Sequence, residues 1–220
     1  VGGIADALTD KGYDMLLSRV DSEHLDSAAQ QYDSGKVIGV IIIGQWHHHD
    51  QLNALAARNV PLVVWGGKLP QQLYCSVGGD NVFGGFQATE HRLRAGRRQI
   101  IFLGDARLAE VKLRREGYLQ AHKKFNITPI PQLEIPVSFE GGAVRAVMDV
   151  LFASKQNFDG VFACSDLLAI QAIQSLRAHG RSVPQHVSVV GYDDISLAPY
   201  FDPPLTSIHQ PIAEAGEELV

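Results

Sequence analysis

Nowhere in its 220 residues does the chain hold the roughly 20 consecutive apolar positions that a membrane-spanning helix requires, so no membrane partner is expected. Basic residues do not dominate either. Lys and Arg number 19 against 24 Asp and Glu, a formal charge of −5, which removes the overall positive footprint of a nucleic-acid-binding surface. Cysteine is scarce: Cys75 and Cys164 are the two present, with no CxxC pairing. That excludes a disulfide scaffold and a thiolate zinc site, and fits free, reduced thiols in a cytoplasmic protein. There is no GxSxG elbow, no P-loop and no GxGxxG opening a helix, so the usual hydrolase, nucleotidase and dinucleotide chemistries have no signature here. No catalytic residue and no cofactor is expected, and the chain reads as a non-enzyme. No secretion signal is expected, and no solenoid repeat or low-complexity tract is visible in the 220 residues. What remains is ordinary for a globular protein, 45% hydrophobic and 20% charged, and long enough for one large α/β unit or two lobes of about 100 residues each.

Strand-like and helix-like segments alternate along the whole chain. Residues 37–43 form the most apolar run and read as a central parallel strand. Residues 15–17, 62–65, 100–103, 133–137, 161–164, 187–190 and 205–210 read as further strands. Helices are predicted over residues 22–34, 52–58, 80–95, 107–125, 142–153 and 167–178, several of them closed by glycine, as at Gly35, Gly96 and Gly180. Gly191 is expected to end the strand that begins at Val187. This alternation predicts parallel sheets with helices on both faces. The two halves meet near residues 77–80 and the chain recrosses near 207–211. The expected division is an N-terminal lobe, residues 1–78 with 211–220 returning to it, and a C-terminal lobe, residues 79–210. Several crossovers would then form a hinge, with the ligand between the lobes. The chain starts without Met and in mid-helix at Ile4 and Leu8, so an upstream strand, with room for a whole domain, is expected before it.

Residues 187–211 read VSVVGYDDISLAPYFDPPLTSIHQP. The run GYDD followed by PPLTSIHQP resembles the effector-binding core of LacI/GalR-type transcriptional regulators. Three more signatures support the resemblance. Asp80-Asn81, Gly84, Ala88, His91, Gly96-Arg97-Arg98 and Ile100 to Gly104 resemble the family's DN…G…A…HL…GHR.I..L.G pattern, with Arg92 in place of its Leu and Arg97 in place of its His. Arg114-Arg115-Glu116-Gly117-Tyr118 resembles R..G[FY]. Phe162 to Asp166, followed by Ala169, resembles F..[SN]D..A. The resemblance implies a two-lobed periplasmic-binding-protein-like fold of type I.

Arg114 stands three, four and seven residues before Gly117, Tyr118 and Ala121, so it shares their inward helical face and needs a buried acceptor. Arg115 points elsewhere and reads as a solvated charge. The resemblance implies that Arg114 and Asp193 reach the effector, a carboxylate and a guanidinium suiting a hydroxylated molecule. Asp194 reads as capping the following turn. In some sugar-binding relatives the residue before the Asp that matches Asp166 is an Asn that touches ligand; Ser165 takes that slot and Asp166 is a candidate beside it, while read without the resemblance the two are a helix N-cap and a first-turn acid. Gln210 matches a cleft-facing position. Phe139 stands two residues beyond a frequent aromatic slot that here holds Val137, and Trp65 offers a second apolar face for a sugar ring, or ordinary packing. The run His47-His48-His49-Asp50 invites a metal reading, but adjacent histidines cannot converge on one ion and no partner stands at zinc-like spacing. No metal site is expected.

The expected function is therefore a ligand-sensing domain of a LacI-type regulator that binds a small polar effector, a saccharide, in a cytoplasmic homodimer. Operator DNA would be gripped by a helix-turn-helix upstream of residue 1. The alternative is a periplasmic sugar-binding protein of a transport system.

Overall fold

Short runs of β-branched residues become parallel strands, and the amphipathic stretches between them become helices, in a computed structural model that describes residues 1–19, 25–139 and 142–220. The chain divides into two compact units, Val1–Gly79 with Pro211–Val220, and Asp80–Gln210. Among the described residues no helix is long and apolar enough to cross a membrane.

The first unit opens with α1 (Gly2–Asp10) and α2 (Leu25–Asp33), then β1 (Val40–Ile43), α3 (His49–Ala57), β2 (Leu62–Trp65) and β3 (Cys75–Val77). The strands form a parallel sheet in the order β1-β2-β3, with Ile42 opposite Val64 and Ser76 opposite Val64 on its other side. Leu25, Ala29, Leu52, Leu55 and Val60 close over Ile42, Val64 and Tyr74 as its core.

Three expectations change here. Residues 15–17 are not a strand: Met15, Leu16 and Leu17 are exposed. A strand exists through its ladder, and no described strand pairs with these residues. The strand expected from residue 37 begins at Val40, and Ile38 stands 71% exposed before it. The helix expected from residue 52 begins at His49 instead, with Asp50 in a first turn that favours an acid. The helix expected from residue 22 runs over Leu25–Asp33; its predicted start lies outside the described residues.

The second unit begins with α4 (Asn81–Arg94), whose N-cap Asp80 accepts a hydrogen bond from the Phe83 amide at 2.8 Å. There follow β4 (Ile100–Leu103), α5 (Ala109–Lys124), β5 (Glu134–Ile135), α6 (Ala143–Ala153), β6 (Gly160–Ala163), α7 (Asp166–Ala178), β7 (Ser188–Asp193) and β8 (Thr206–His209). The five strands are parallel in the order β5-β4-β6-β7-β8. Their period of two sorts the core. Ile101, Leu103, Val161, Ala163 and Val189 pack on Met148 of α6 and Leu168, Ala172 and Leu176 of α7. Ile100, Phe102, Phe162, Val190 and Tyr192 pack on Ala88 of α4 and Val111, Tyr118 and Ala121 of α5. Each fully buried Leu or Phe contributes about 1.5–3 kcal/mol. The last helix, α8 (Ile212–Glu218), returns to the first unit and packs on α1, where a Cβ on Gly216 would stand 2.9 Å from the Gly3 carbonyl carbon.

Two strands differ from expectation. β7 does not end at Gly191 but runs through it to Asp193. The glycine serves proximity: a Cβ at that position would collide with the Asp166 carboxylate. β5 is short because Leu133 belongs to a 3-10 turn opened by Pro131, and Pro136 has no amide to donate.

Candidate functional site

In a parallel α/β sheet, ligands sit beyond the carboxyl ends of the strands. That edge of the second unit gathers much of its polar chemistry: Asp105 after β4, Ser165 and Asp166 after β6, Asp193 at the end of β7 and Gln210 after β8.

Arg114 projects from α5 and is 7% exposed. Its Nε donates to Oδ1 of Asn81 at 2.8 Å, its Nη1 donates to the carbonyl of Cys164, and its Cζ lies 3.7 Å from the centroid of the Tyr192 ring. Three groups thus fix one guanidinium, while Nη2 makes no hydrogen bond among the described residues. The ring beneath it adds roughly 1–2 kcal/mol of cation–π attraction. Backbone proximity makes this possible. Gly85 and Gly117 let α4 and α5 touch, and a Cβ at Gly85 would collide with the Arg114 backbone. At Gly84 it would press into the Tyr192 ring, 2.8 Å from Cε2.

Asp193 ends β7 with φ 113°, and Asp194 follows at φ 54°. Both lie in the left-handed half of conformational space, which costs a non-glycine residue about 1–3 kcal/mol at such positions. In this conformation Oδ1 of Asp193 accepts from Nε2 of Gln210 at 2.7 Å. Burial raises the Asp193 pKa; the Arg114 charge and the Gln210 hydrogen bond pull it back down, and burial prevails. No direct Arg114–Asp193 ion pair forms: the two groups influence each other through space, each held by other partners.

Asp166 is fully buried, with Oδ1 accepting from the Ser207 hydroxyl at 2.6 Å and Oδ2 from the Ile195 amide at 2.9 Å. Both oxygens therefore tie the start of α7 to the turn after β7 and to β8. Burial raises its pKa in spite of those donors. Ser165 is the N-cap of α7, accepting from the Leu168 amide at 3.2 Å. Asp194 is exposed and its Oδ2 pairs with Nδ1 of His209 at 2.9 Å. Phe139 is half-buried against both faces of the second unit's core.

Trp65 belongs to the first unit, at the carboxyl end of β2, opposite Ile43 and Val77. In that unit the histidine run is occupied by structure. His49 Nδ1 lies 2.9 Å from the Tyr74 hydroxyl and its Nε2 3.2 Å from the Pro70 carbonyl, while buried Gln45 donates to the Gly67 carbonyl at 2.6 Å. Among the described residues no group of three metal-capable side chains converges.

Sequence reasoning missed Asn81 and Tyr192, the partners that hold Arg114. Asn81 was legible only as part of a helix start, and Tyr192 only as the middle of GYDD. It also misread Arg115, whose Nε pairs with Glu134. That acid arrives from β5, the neighbour of β4, and pairing across the sheet is invisible in sequence spacing.

Residues 89–220 match the family model of the periplasmic binding protein-like domain. The HTH-type transcriptional regulator CelR of Thermobifida fusca is 31% identical over 229 residues, covering 99% of this chain and 65% of the relative. The HTH-type transcriptional repressor PurR of Haemophilus influenzae is 28% identical over 216 residues, covering 96% of this chain and 63% of the relative. The chain thus spans about two thirds of the length of these regulators. Among solved structures, a CelR–cellobiose complex superposes with a TM-score of 0.87 at 29% identity, covering 99% of this chain and 68% of that one. A LacI-family regulator from Enterococcus faecium with bound ribose superposes with a TM-score of 0.83 at 29% identity, covering 99% and 80%.

Proposed function

Since the chain belongs to the periplasmic binding protein-like family, as the effector-binding domain of a LacI/GalR-type regulator, we propose that it recognises a saccharide or a closely related polyol through the polar edge of its second unit. The observation that carries this is Arg114, held by Asn81, Cys164 and the Tyr192 ring with Nη2 still unbonded, on the same edge as a carboxylate whose own partner is a neutral amide. Asp193 accepts hydrogen bonds from two ligand hydroxyls and Arg114 donates one, each worth about 1.5–3 kcal/mol when shielded from water. Gln210 orients Asp193 and reaches the ligand with its remaining donor. Ser165 and Asp166 contribute at the start of α7, Asp166 chiefly by setting the turn that carries Asp193. Phe139 supplies an aromatic surface, and Trp65 is the aromatic candidate of the first unit. Two solved relatives at 29% identity carry cellobiose and ribose, which supports a sugar over other polar molecules.

In the whole protein this domain serves a cytoplasmic regulator whose operator DNA is bound by a separate helix-turn-helix domain, and the effector alters that binding. The domain performs no catalysis. The regulator acts as a homodimer. Leu167 on the first turn of α7 and Leu197 and Tyr200 beyond β7 are 57%, 58% and 84% exposed, apolar surface that a second copy would cover. The test is a thermal-shift panel of mono- and disaccharides, with cellobiose and ribose included, against purine bases and amino acids. Stabilisation by at least one sugar in the native chain, lost in Arg114→Ala, is expected. A shift with purines or amino acids and none with sugars refutes the assignment.

A further inference from the structure

The least satisfied charge in the second unit lies far from Arg114, at the other end of α4. Arg92 is 6% exposed, and its Nε is sealed from solvent without a hydrogen-bond partner. No hydrogen bond or ion pair to its guanidinium forms among the described residues. Among the described residues the charge that bears on it most is a second cation, Arg97. Three of the five N–H hydrogens of Arg97 are already committed, two on Nη2 to the carbonyls of Pro184 and Gln185 and one on Nη1 to that of His186.

The opposite wall offers a matching defect. The Ser188 hydroxyl is sealed and unbonded, on a residue 3% exposed. Helix and strand run antiparallel here. Gly84 meets Tyr192 near one end, and Arg97, just past the helix, meets residues 184–186 at the other. Descending eight residues from Gly84 to Arg92 covers about 12 Å of helix. Descending four from Tyr192 to Ser188 covers about 13 Å of strand, on the same face by the period of two. Arg92 also lies mid-stripe on the buried side of α4, among Gly84, Gly85, Ala88 and Thr89. The backbones of Arg92 and Ser188 therefore stand at one level, on facing sides of the helix–sheet interface.

An isolated buried cation is strongly unfavourable, and pairing with an anion is what relieves it. We infer that the foot of α4 against the start of β7 is a binding site for one small tetrahedral oxyanion, of the phosphate or sulfate class. Arg92 supplies through its outer nitrogens the planar fork that such an ion prefers, Arg97 adds charge, and the Ser188 hydroxyl, sealed until the ion enters between helix and strand, then donates its hydrogen. The outer nitrogens of Arg92 are not among the sealed atoms, which gives the ion its approach.

The experiment uses the 220-residue chain in unfolding titrations with inorganic phosphate or sulfate, and with chloride at matched ionic strength as the control. In the native chain the oxyanion raises the second unit's midpoint by about 5–10 °C at a hundred times its Kd, and chloride does not. Arg92→Leu abolishes that response and is at least as stable as the native chain in anion-free buffer. Ser188→Ala weakens the response about 5–10-fold in Kd. Arg114→Ala keeps it, which separates this site from the effector site. A native chain that responds equally to chloride and phosphate, an undiminished response in Arg92→Leu, or its loss in Arg114→Ala overturns the inference.

Discussion

Replacing Asp193 by Asn tests the effector site with little change of shape. The amide keeps the volume of the carboxylate and still offers Oδ1 to Nε2 of Gln210, 2.7 Å away in the native chain. What disappears is the negative charge and one acceptor atom. Two ligand hydroxyls that donated to a carboxylate then meet one neutral carbonyl and one amine. Each charge-assisted bond of about 1.5–3 kcal/mol falls to about 0.5–1.5 kcal/mol, a total loss over the two of about 2–3 kcal/mol, or about 30- to 150-fold in Kd. The pH dependence has a definite sign. The folded Asp193 pKa is raised, so the native carboxylate is ionised at a cost. That cost appears as pH rises through its folded pKa, and stability from this group is greatest below its unfolded pKa. Binding runs the other way: the effector needs the ionised form, and affinity falls as pH drops through the raised pKa. Calorimetric titration with the best sugar of the panel, from pH 8 to pH 4, should show that decline in the native chain. Asp193→Asn should show a weaker and flatter profile, with stability at pH 7 equal to or above native. Equal Kd in both chains at every pH, or an Asn variant that is markedly less stable, would refute the reasoning.

Other perturbations read different parts of the structure. In the native chain Cys75 should react with a thiol reagent and Cys164 should not, because Cys75 is exposed while burial pushes the Cys164 thiol up to about 12; two reactive thiols without denaturant would contradict this. Asp166→Asn turns an amine toward either the Ser207 hydroxyl or the Ile195 amide, so chemical denaturation should report a loss of about 1–3 kcal/mol. Gly117→Ala drives a Cβ against the Val82 carbonyl and the Phe86 amide, and should destabilise the second unit by about 1–3 kcal/mol or more in the same assay.

Much of the second unit was legible in advance because its signals are local. β4 fits the run IIFL, bounded by Gly96 before and Gly104 after. α4 fits its Asp80 cap and its Gly96 stop, and α5 its inward stripe through Arg114, Gly117, Tyr118 and Ala121. The failures share one physical cause, dependence on a partner distant in sequence. Met15-Leu16-Leu17 reads as a strand but joins no ladder among the described residues. Gly191 looks like a break, yet it is there because the Asp166 carboxylate, 25 residues earlier, occupies the space a side chain would take. At the site, charge type and inward direction were readable for Arg114. That Asn81 and Tyr192 would hold it was not, because neither side chain announces a partner by spacing.

The most direct test is a crystal structure of the chain with the sugar that stabilises it. A ligand hydroxyl about 3 Å from Asp193 and another about 3 Å from Nη2 of Arg114 are the expected result. A sugar bound elsewhere, with Arg114 and Asp193 still engaged only with Asn81, Cys164 and Gln210, would contradict the account.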